Sequence, residues 1–464
     1  MVHYPVRHHR EGQHVNEAEF EQVADAFKTF HRRFAPLFGY VQAKERSEQY
    51  LRGLLVQRAE RRNAENMAEA VDGAAARPLQ RLLTDSPWDH ADVITALQAF
   101  LAEQLNTAEG VFILDETGFA KQGRHSVGVA RQYSGTLGKV GNCQVGVFLG
   151  YASSKGHALV DMRLYLPKAW TDDRPRCERV GVPKDVVYQT KPQLGLAMLR
   201  EARRRGALVG TWVTADSLYG GSPELRDGLD AEGWLYVLEV TSQQRLFTQP
   251  AHTEIPAWSG RGRKPSKVRL VEGSAQPQTV ATIVAGLPDA AWHTLSVAEG
   301  AQGPRTYQFA AVRGWECRDE VPGRATWLLA RRNNDGSELK YAVSNAPETI
   351  PLETLAQVAS TRWCIETEFQ TDKGQIGLDE YEVRSWRGWH HHVALALLAG
   401  AFLVQLQQTW GEKDAPHHAS PGGSRATRDA ASANVVAPRS ARLARRNAVP
   451  QRARQAISHQ TSAC

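Results

Sequence analysis

Cysteine is scarce in this chain of 464 residues: Cys143, Cys177, Cys317, Cys364 and Cys464 are scattered and form no CxxC pair. That excludes a disulfide framework and a zinc ribbon, and it fits a reducing compartment. Long apolar runs are missing too. Hydrophobic residues make up 42% of the chain, yet nothing approaches the ~18 to 20 apolar residues of a membrane span. The opening stretch MVHYPVRHHREGQH lacks the apolar core of a secretory signal. The expectation is a soluble, cytoplasmic protein with no membrane partner. No internal repeat is visible. SGTLGKVG lacks the first glycine and the Ser or Thr of a phosphate loop. His390, His391 and His392 are consecutive, about 100° apart on a helix, and cannot chelate one ion as an i, i+4 pair would.

A net excess of charge of either sign is absent from the body of the chain. The net charge is +6, and from Gly411 onward nine Arg or Lys face three acids, which accounts for all of it. A polyanionic partner is permitted by the total but has to be argued from local patches. The tail after Gly411 is rich in Ala, Arg, Ser and Pro without periodicity, which predicts disorder.

Periodicity divides the rest. Residues 14 to about 107 carry helical apolar spacing, as in VNEAEFEQVADAFKTFHRRFAPLF and DVITALQAFLAEQL, interleaved with arginines. A helical bundle or a small helical DNA-binding domain fits. Then GVFILD, CQVGVFLGYAS and ALVDMRLYLP predict three strands, followed by a helix (KPQLGLAMLREARRRGA), a strand (LVGTWVTAD), a helix from SPELRDGL and a strand (WLYVLEV). That order is the order of an RNase H-like α/β fold. From 246 to 345, runs such as VRLVEG, TVATIV, YQFAAVR, TWLLARR and KYAVSN predict a β-rich insertion. HHHVALALLAGAFLVQLQQ predicts a buried helix. The expected organisation is a helical N-terminal DNA-binding domain (1–107), an RNase H-like catalytic domain in two parts (108–245 and 346–410) around the insertion, and a basic disordered tail (411–464).

STRWCIETEFQTDKGQIG, residues 360–377, reads as a helix. With Arg362 at zero, Glu366 falls near +40°, Phe369 near −20° and Lys373 near +20°, while Glu368 lies opposite, roughly, at 100° per residue. An ordinary solvated helix face would look the same. Asp115 and Asp216 each end an aliphatic strand, where an acid is often only a turn or N-cap residue. If the first and fourth strands are neighbours, both aspartates meet at one sheet edge with Glu366 able to cross there. Three converging carboxylates repel unless cations lie between them. Mg²⁺, with Mn²⁺ as a plausible substitute, suits such a set. Two ions ~3.5–4 Å apart could activate a water or 3′-hydroxyl and stabilise a leaving oxygen. Arg362 and Lys373 would then grip the flanking phosphates.

ILDETGF, TADSLYGG and RWCIETEFQTDKGQIGLDEYEVRSWRGWHHH resemble the three acidic motifs of DDE transposases of bacterial insertion sequences. The branch with a Tyr-x2-Arg-x3-Glu-x6-Lys signature and a β-rich insertion is the most similar. Arg362, Glu366 and Lys373 match that spacing, while Ala359 stands where the tyrosine is expected. The resemblance spans roughly residues 45–405, and the tail departs from it. It implies Asp115, Asp216 and Glu366 as catalytic, metal-binding residues. It also implies a DNA transposase that binds inverted-repeat ends as a homodimer in a synaptic complex, hydrolyses the 3′ phosphodiester and joins the 3′-hydroxyl to target DNA. Bound to DNA, the protein would be nucleoid-associated. An RNase H-like nuclease without strand transfer and a catalytically inactive DNA-binding derivative are the alternatives. A glycosidase acid pair leaves the third carboxylate and both cations unexplained.

Overall fold

The computed structural model describes residues 17–56, 61–135, 138–300 and 303–410. The tail expected to be disordered lies outside the described residues.

Five helices come first: α1 (Glu17–Phe34), α2 (Val41–Leu55), α3 (Ala64–Ala70), α4 (Ala76–Thr84) and α5 (His90–Leu105). Phe27, Phe30 and Phe34 recur at helical spacing, so they line one side of α1 and all are buried. Phe30 meets the ring of Phe100 at 5.1 Å and that of Phe402 at 5.2 Å. Phe402 belongs to a long helix near the other end of the chain. The helical N-terminal region therefore shares a core with the far end of the sequence, and one cluster of buried residues runs through both.

The strands follow: β1 (Val111–Ala120), β2 (Ala130–Ser134), β3 (Lys139–Ser153) and β4 (Gly156–Leu164), then helix α6 (Lys191–Arg205), β5 (Trp212–Ala215), α7 (Pro223–Ala231) and β6 (Leu235–Val240). Helix α6 is started by a capping box, Thr190 with Gln193, and stopped by left-handed Gly206. β1 is antiparallel to β3 and β3 to β4, whereas β1 is parallel to β5 and β5 to β6. The expected neighbours, first and fourth of the predicted strands, are thus paired. β1 runs on to Ala120 because Asp115 to Ala120 keep their pairing with β3 after β5 has ended. The five-residue β2 was not foreseen.

β7 (Arg245–Phe247), β8 (Thr253–Glu254), β9 (Arg269–Leu270), β10 (Gln278–Thr279), β11 (His293–Gly300), β12 (Gly303–Arg318), β13 (Val321–Arg332) and β14 (Leu339–Ser344) come next. Apart from the separate β8–β9 pair, these strands extend one mixed sheet, ordered β10-β7-β12-β13-β14-β6-β5-β1-β3-β2 with β4 on β3 and β11 on β12. A buried Arg226–Glu316 ion pair (3.0 Å) ties β12 to α7. TVATIV, expected as a strand, is mostly helix (Val280–Ala285): Thr279 accepts a hydrogen bond from the amide of Thr282, and this N-cap outweighs the β-branched composition. VRLVEG contributes only the two residues of β9.

Three helices close the description: α8 (Leu352–Thr361), α9 (Trp363–Thr371), continued by a π-helical turn at Asp372–Ile376, and α10 (Trp386–Trp410). The segment read as one helix is broken at Arg362 and stopped at Gly377, which is left-handed at φ 72°. Residues 386–409 are long and apolar enough to cross a membrane by composition, but the apolar stretch is almost wholly buried inside the protein. The three histidines diverge as expected. His390 bonds the Trp386 carbonyl, His391 the Trp88 carbonyl, and His392 lies between Tyr50 and the Leu378 carbonyl. Burial lowers His391 and His392 to about 4, so both are neutral core groups near pH 7.

Gly220, in the turn after β5, packs directly on β6: a Cβ there would collide with the Glu239 carbonyl oxygen. Gly220→Ala should therefore destabilise the protein by about 2 kcal/mol. Denaturant titration checks this, and an unchanged midpoint would show that the turn yields.

Candidate active site

β1 and β5 stop pairing at Leu114↔Ala215, and the next residues are Asp115 and Asp216. The register itself sets the two carboxylates side by side. Asp216 is also the N-cap of the helical turn Ser217–Gly220, accepting from the amides of Leu218 (2.9 Å) and Tyr219 (3.4 Å). The bland reading of this residue, a cap, is correct without excluding the other. Asp115 accepts from the amide of Glu116 at 2.7 Å. Burial, then the charge of Asp216, pushes the Asp115 carboxyl up to about 7, against the opposing pull of Arg362. Asp216 is raised as well, by burial and then by Glu116, with the two amide bonds and Arg362 working the other way.

Arg362 sits at the junction between α8 and α9 and reaches three carboxylates. Its guanidinium lies 3.6 Å from Asp115 on β1, 3.1 Å from Glu239 on β6 and 2.7 Å from Glu366, one turn further along. Burial works against its charge, but Glu239, Glu366 and Asp115 together outweigh that and hold it protonated. Arg362, Glu366 and Asp115 are thus brought together. Glu366 remains half exposed while Arg362 is largely buried. Glu368 points away, as its angular position requires: it is buried 2.8 Å from His157 at the start of β4. Asp372, also buried there, has its carboxyl pushed well up by burial and by Glu368.

Lys373 lies on the β1 side. Its ammonium donates to the Gly118 carbonyl at 3.0 Å and stands 5.4 Å from the Phe119 ring, and burial lowers its pKa, partly offset by Asp379. Ala359 is packed, partly buried, against the second hydrophobic cluster.

Sequence reasoning missed Glu239 and Glu116. Glu239 is an acid inside the otherwise apolar run WLYVLEV, and that incongruity was the available signal. Glu116 was hidden behind its neighbour Asp115. Its carboxylate takes Lys191 (2.7 Å) from the start of α6 and the hydroxyl of buried Tyr219 (2.8 Å). Five carboxylates therefore gather around two paired cations, Arg362 and Lys191.

That imbalance fits a hard divalent cation in kind. The donors are carboxylate oxygens, and five carboxylates stand around two cations. Among the described residues, no three His, Cys, Asp or Glu side chains already converge as a metal cage. Glu366 is turned to Arg362 instead.

The chain belongs to the DDE superfamily endonucleases: that family's description matches residues 33–304, well over half of the sequence. The match includes Asp115 and Asp216 and ends before Glu366. The chain is 27% identical over 256 residues to the probable transposase for insertion sequence element IS701 of Microchaete diplosiphon, a match taking in 51% of this chain and 63% of that one. It thus spans less than two thirds of this relative's length. Among solved structures, it is similar to the piggyBac transposase synaptic complex with hairpin DNA at 12% identity and a TM-score of 0.39, over 86% of this chain and 75% of that one. It is also similar to the NurA nuclease from Sulfolobus solfataricus at 12% identity and a TM-score of 0.24, over 58% and 80%.

Two stability measurements follow from the electrostatics. The folded state holds a proton on Asp115 up to about pH 7 that the unfolded chain releases near 4, so this group's contribution to stability falls as pH rises through that window. Asp115→Asn in chelator should be more stable than the parent, with a gap that widens from pH 5 to pH 8. A constant gap would mean Asp115 titrates normally. Arg362→Ala strands Asp115, Glu239 and Glu366 without their shared cation and should lose roughly 3 kcal/mol at pH 8. A loss under 1 kcal/mol would show the three acids separate without it.

Proposed function

We propose that this chain is a DNA transposase that binds the inverted-repeat ends of an insertion sequence, hydrolyses the 3′ phosphodiester and transfers the freed 3′-hydroxyl to target DNA. The observation that carries the reading is the register of β1 and β5, which sets Asp115 beside Asp216 with Glu366 one guanidinium away. The order β4-β3-β1-β5-β6, two antiparallel pairings and then two parallel ones, supports an RNase H-like core for residues 108–245 and 346–410. In that division 1–107 is a DNA-binding region and 246–345 an insertion. Family membership and the insertion-sequence relative support the reaction class.

Asp115, Asp216 and Glu366 would hold divalent metal, Mg²⁺ or Mn²⁺. Metal held there would supply a lowered pKa for the attacking water or hydroxyl and stabilisation of the leaving oxygen. The protein's own part is to fix the aspartates on adjoining strand ends and to bury them, so that their ionised forms need a cation. Arg362 already serves as that cation for Asp115 and Glu366. Arg362 and Lys373 are proposed to hold the phosphates flanking the scissile bond. Lys373 must release the Gly118 carbonyl to do so. Binding both element ends at once calls for a homodimer.

Duplex oligonucleotides carrying the inverted repeats that flank the coding region, incubated with Mg²⁺ or Mn²⁺ and target plasmid, test this. Asp115→Asn, Asp216→Asn and Glu366→Gln should each lower 3′-end cleavage at least 100-fold, while Glu368→Gln, buried against His157, keeps most of it. Cleavage surviving in both aspartate variants would remove the proposed centre. Cleavage without joined products would favour the nuclease without strand transfer.

A further inference from the structure

Five of the ten arginines of residues 245–345 meet a carboxylate, and Arg305 and Arg313 lie over the rings of Trp363 and Trp327. Arg245 meets Glu320, Arg318 meets Glu316 and Asp227, Arg324 meets Asp227 and Asp230, Arg331 meets Glu338, and Arg332 meets Asp289. One segment of the same region is different. Between Glu254 and Glu272 stand Arg261, Arg263, Lys264, Lys267 and Arg269, with no acid among them. All five are exposed, and among the described residues none lies within ion-pair distance of a carboxylate. The cations lacking an internal partner in this region are therefore concentrated on one hairpin.

The hairpin is built to present them. β8 and β9 pair at Thr253↔Leu270 and Glu254↔Arg269, and the amide of Val271 donates to the His252 carbonyl, so the loop 255–268 is closed at its base. At its tip, Gly260 (φ 81°) and Gly262 (φ 75°) are both left-handed, a conformation side-chain-bearing residues avoid. Half-exposed Trp258 donates its indole N–H to the Gly262 carbonyl at 3.2 Å and braces the turn. A Cβ on either glycine would meet nothing within 4 Å, so the glycines are not there for packing against the protein. They give a bare backbone rib with Arg261 between them and Arg263 just beyond.

We infer that this hairpin inserts its Gly-Arg-Gly-Arg tip, residues 260–263, into the minor groove of A·T-rich duplex DNA. A rib with a Cβ only at every second residue suits a groove about 6 Å wide, which a helix cannot enter. A·T tracts narrow that groove and deepen its negative potential, which draws arginine. Lys264, Lys267 and Arg269 then lie where the phosphates on either side run. This rests on the transposase reading only in taking DNA as the partner. Five inter-strand steps separate β7, from which the hairpin leaves, from β5 beside Asp216, roughly 24 Å across the sheet at ~4.8 Å a step. The strand from which the hairpin leaves is therefore not a neighbour of the strand that ends at Asp216.

Fluorescence anisotropy of the full chain with 20-base-pair A·T-rich and G·C-rich duplexes, in chelator and over a salt series, tests the assignment. The parent should prefer the A·T duplex about 10-fold, and a minor-groove-binding drug should erase that preference. Arg261→Ala/Arg263→Ala should bind the A·T duplex about 10-fold more weakly, lose the preference and lower the salt slope by about two. Its thermal midpoint should not move, because both side chains are exposed. Asp115→Asn should keep the parent's preference, so the hairpin's role and the catalytic reading can fail separately. Equal loss on both duplexes, or no effect of the drug, would reduce the hairpin to a phosphate contact and overturn the groove assignment. Unchanged binding in the double variant, or stronger binding to single-stranded RNA than to either duplex, would overturn the surface itself.

Discussion

A single guanidinium holds the centre of this molecule together. Arg362 spans Asp115 on β1, Glu239 on β6 and Glu366 on α9, so one side chain joins two strands of the sheet to the helix crossing their ends. Without that charge, three acids would face one another in a largely buried space, and like charges at such range disfavour the folded state unless they take up protons. A lysine could not do the same work. The planar fork of arginine reaches several carboxylates at once, and the group stays protonated despite burial.

The remaining architecture can be understood as what it takes to keep that meeting point in place. β1 and β5 are parallel neighbours, so their C-terminal ends lie at the same level and Asp115 and Asp216 emerge together. Gly220 lets the turn after Asp216 close on β6, the strand that supplies Glu239. On the far side of α9, Glu368 against His157 and the buried Asp372 fix the helix to β4 and α10. The face of α9 that carries Glu366 is thereby left toward the sheet edge. α10 in turn is packed through Phe402 against Phe27 and Phe30 of α1. Helices at the two ends of the described chain thus form one support behind the acids.

Charge is distributed to match. Around Asp115 five carboxylates stand with two cations. On the β8–β9 hairpin there is more base than the protein neutralises. Elsewhere in the strands from 245 to 345, arginines find carboxylates of their own chain or, as Arg305 and Arg313 do, a tryptophan ring.

Much of this was legible in the residues. Strand–helix alternation from 110 to 240 follows from apolar runs punctuated by glycine, and the separation of Glu366 from Glu368 follows from 100° per residue. Thr279 shows the limit of composition, since one N-cap turned a β-branched run into helix. The charge of Lys373 was legible, but its place against the Gly118 carbonyl was not, because 255 residues separate the two. Glu239 and Glu116 escaped for the same reason: an acid in a strand is defined by which strand lies beside it. Local spacing determines secondary structure and the face a side chain shares with its neighbours. The tertiary structure alone decides which carboxylates meet, because register and strand order are set by packing across the whole core.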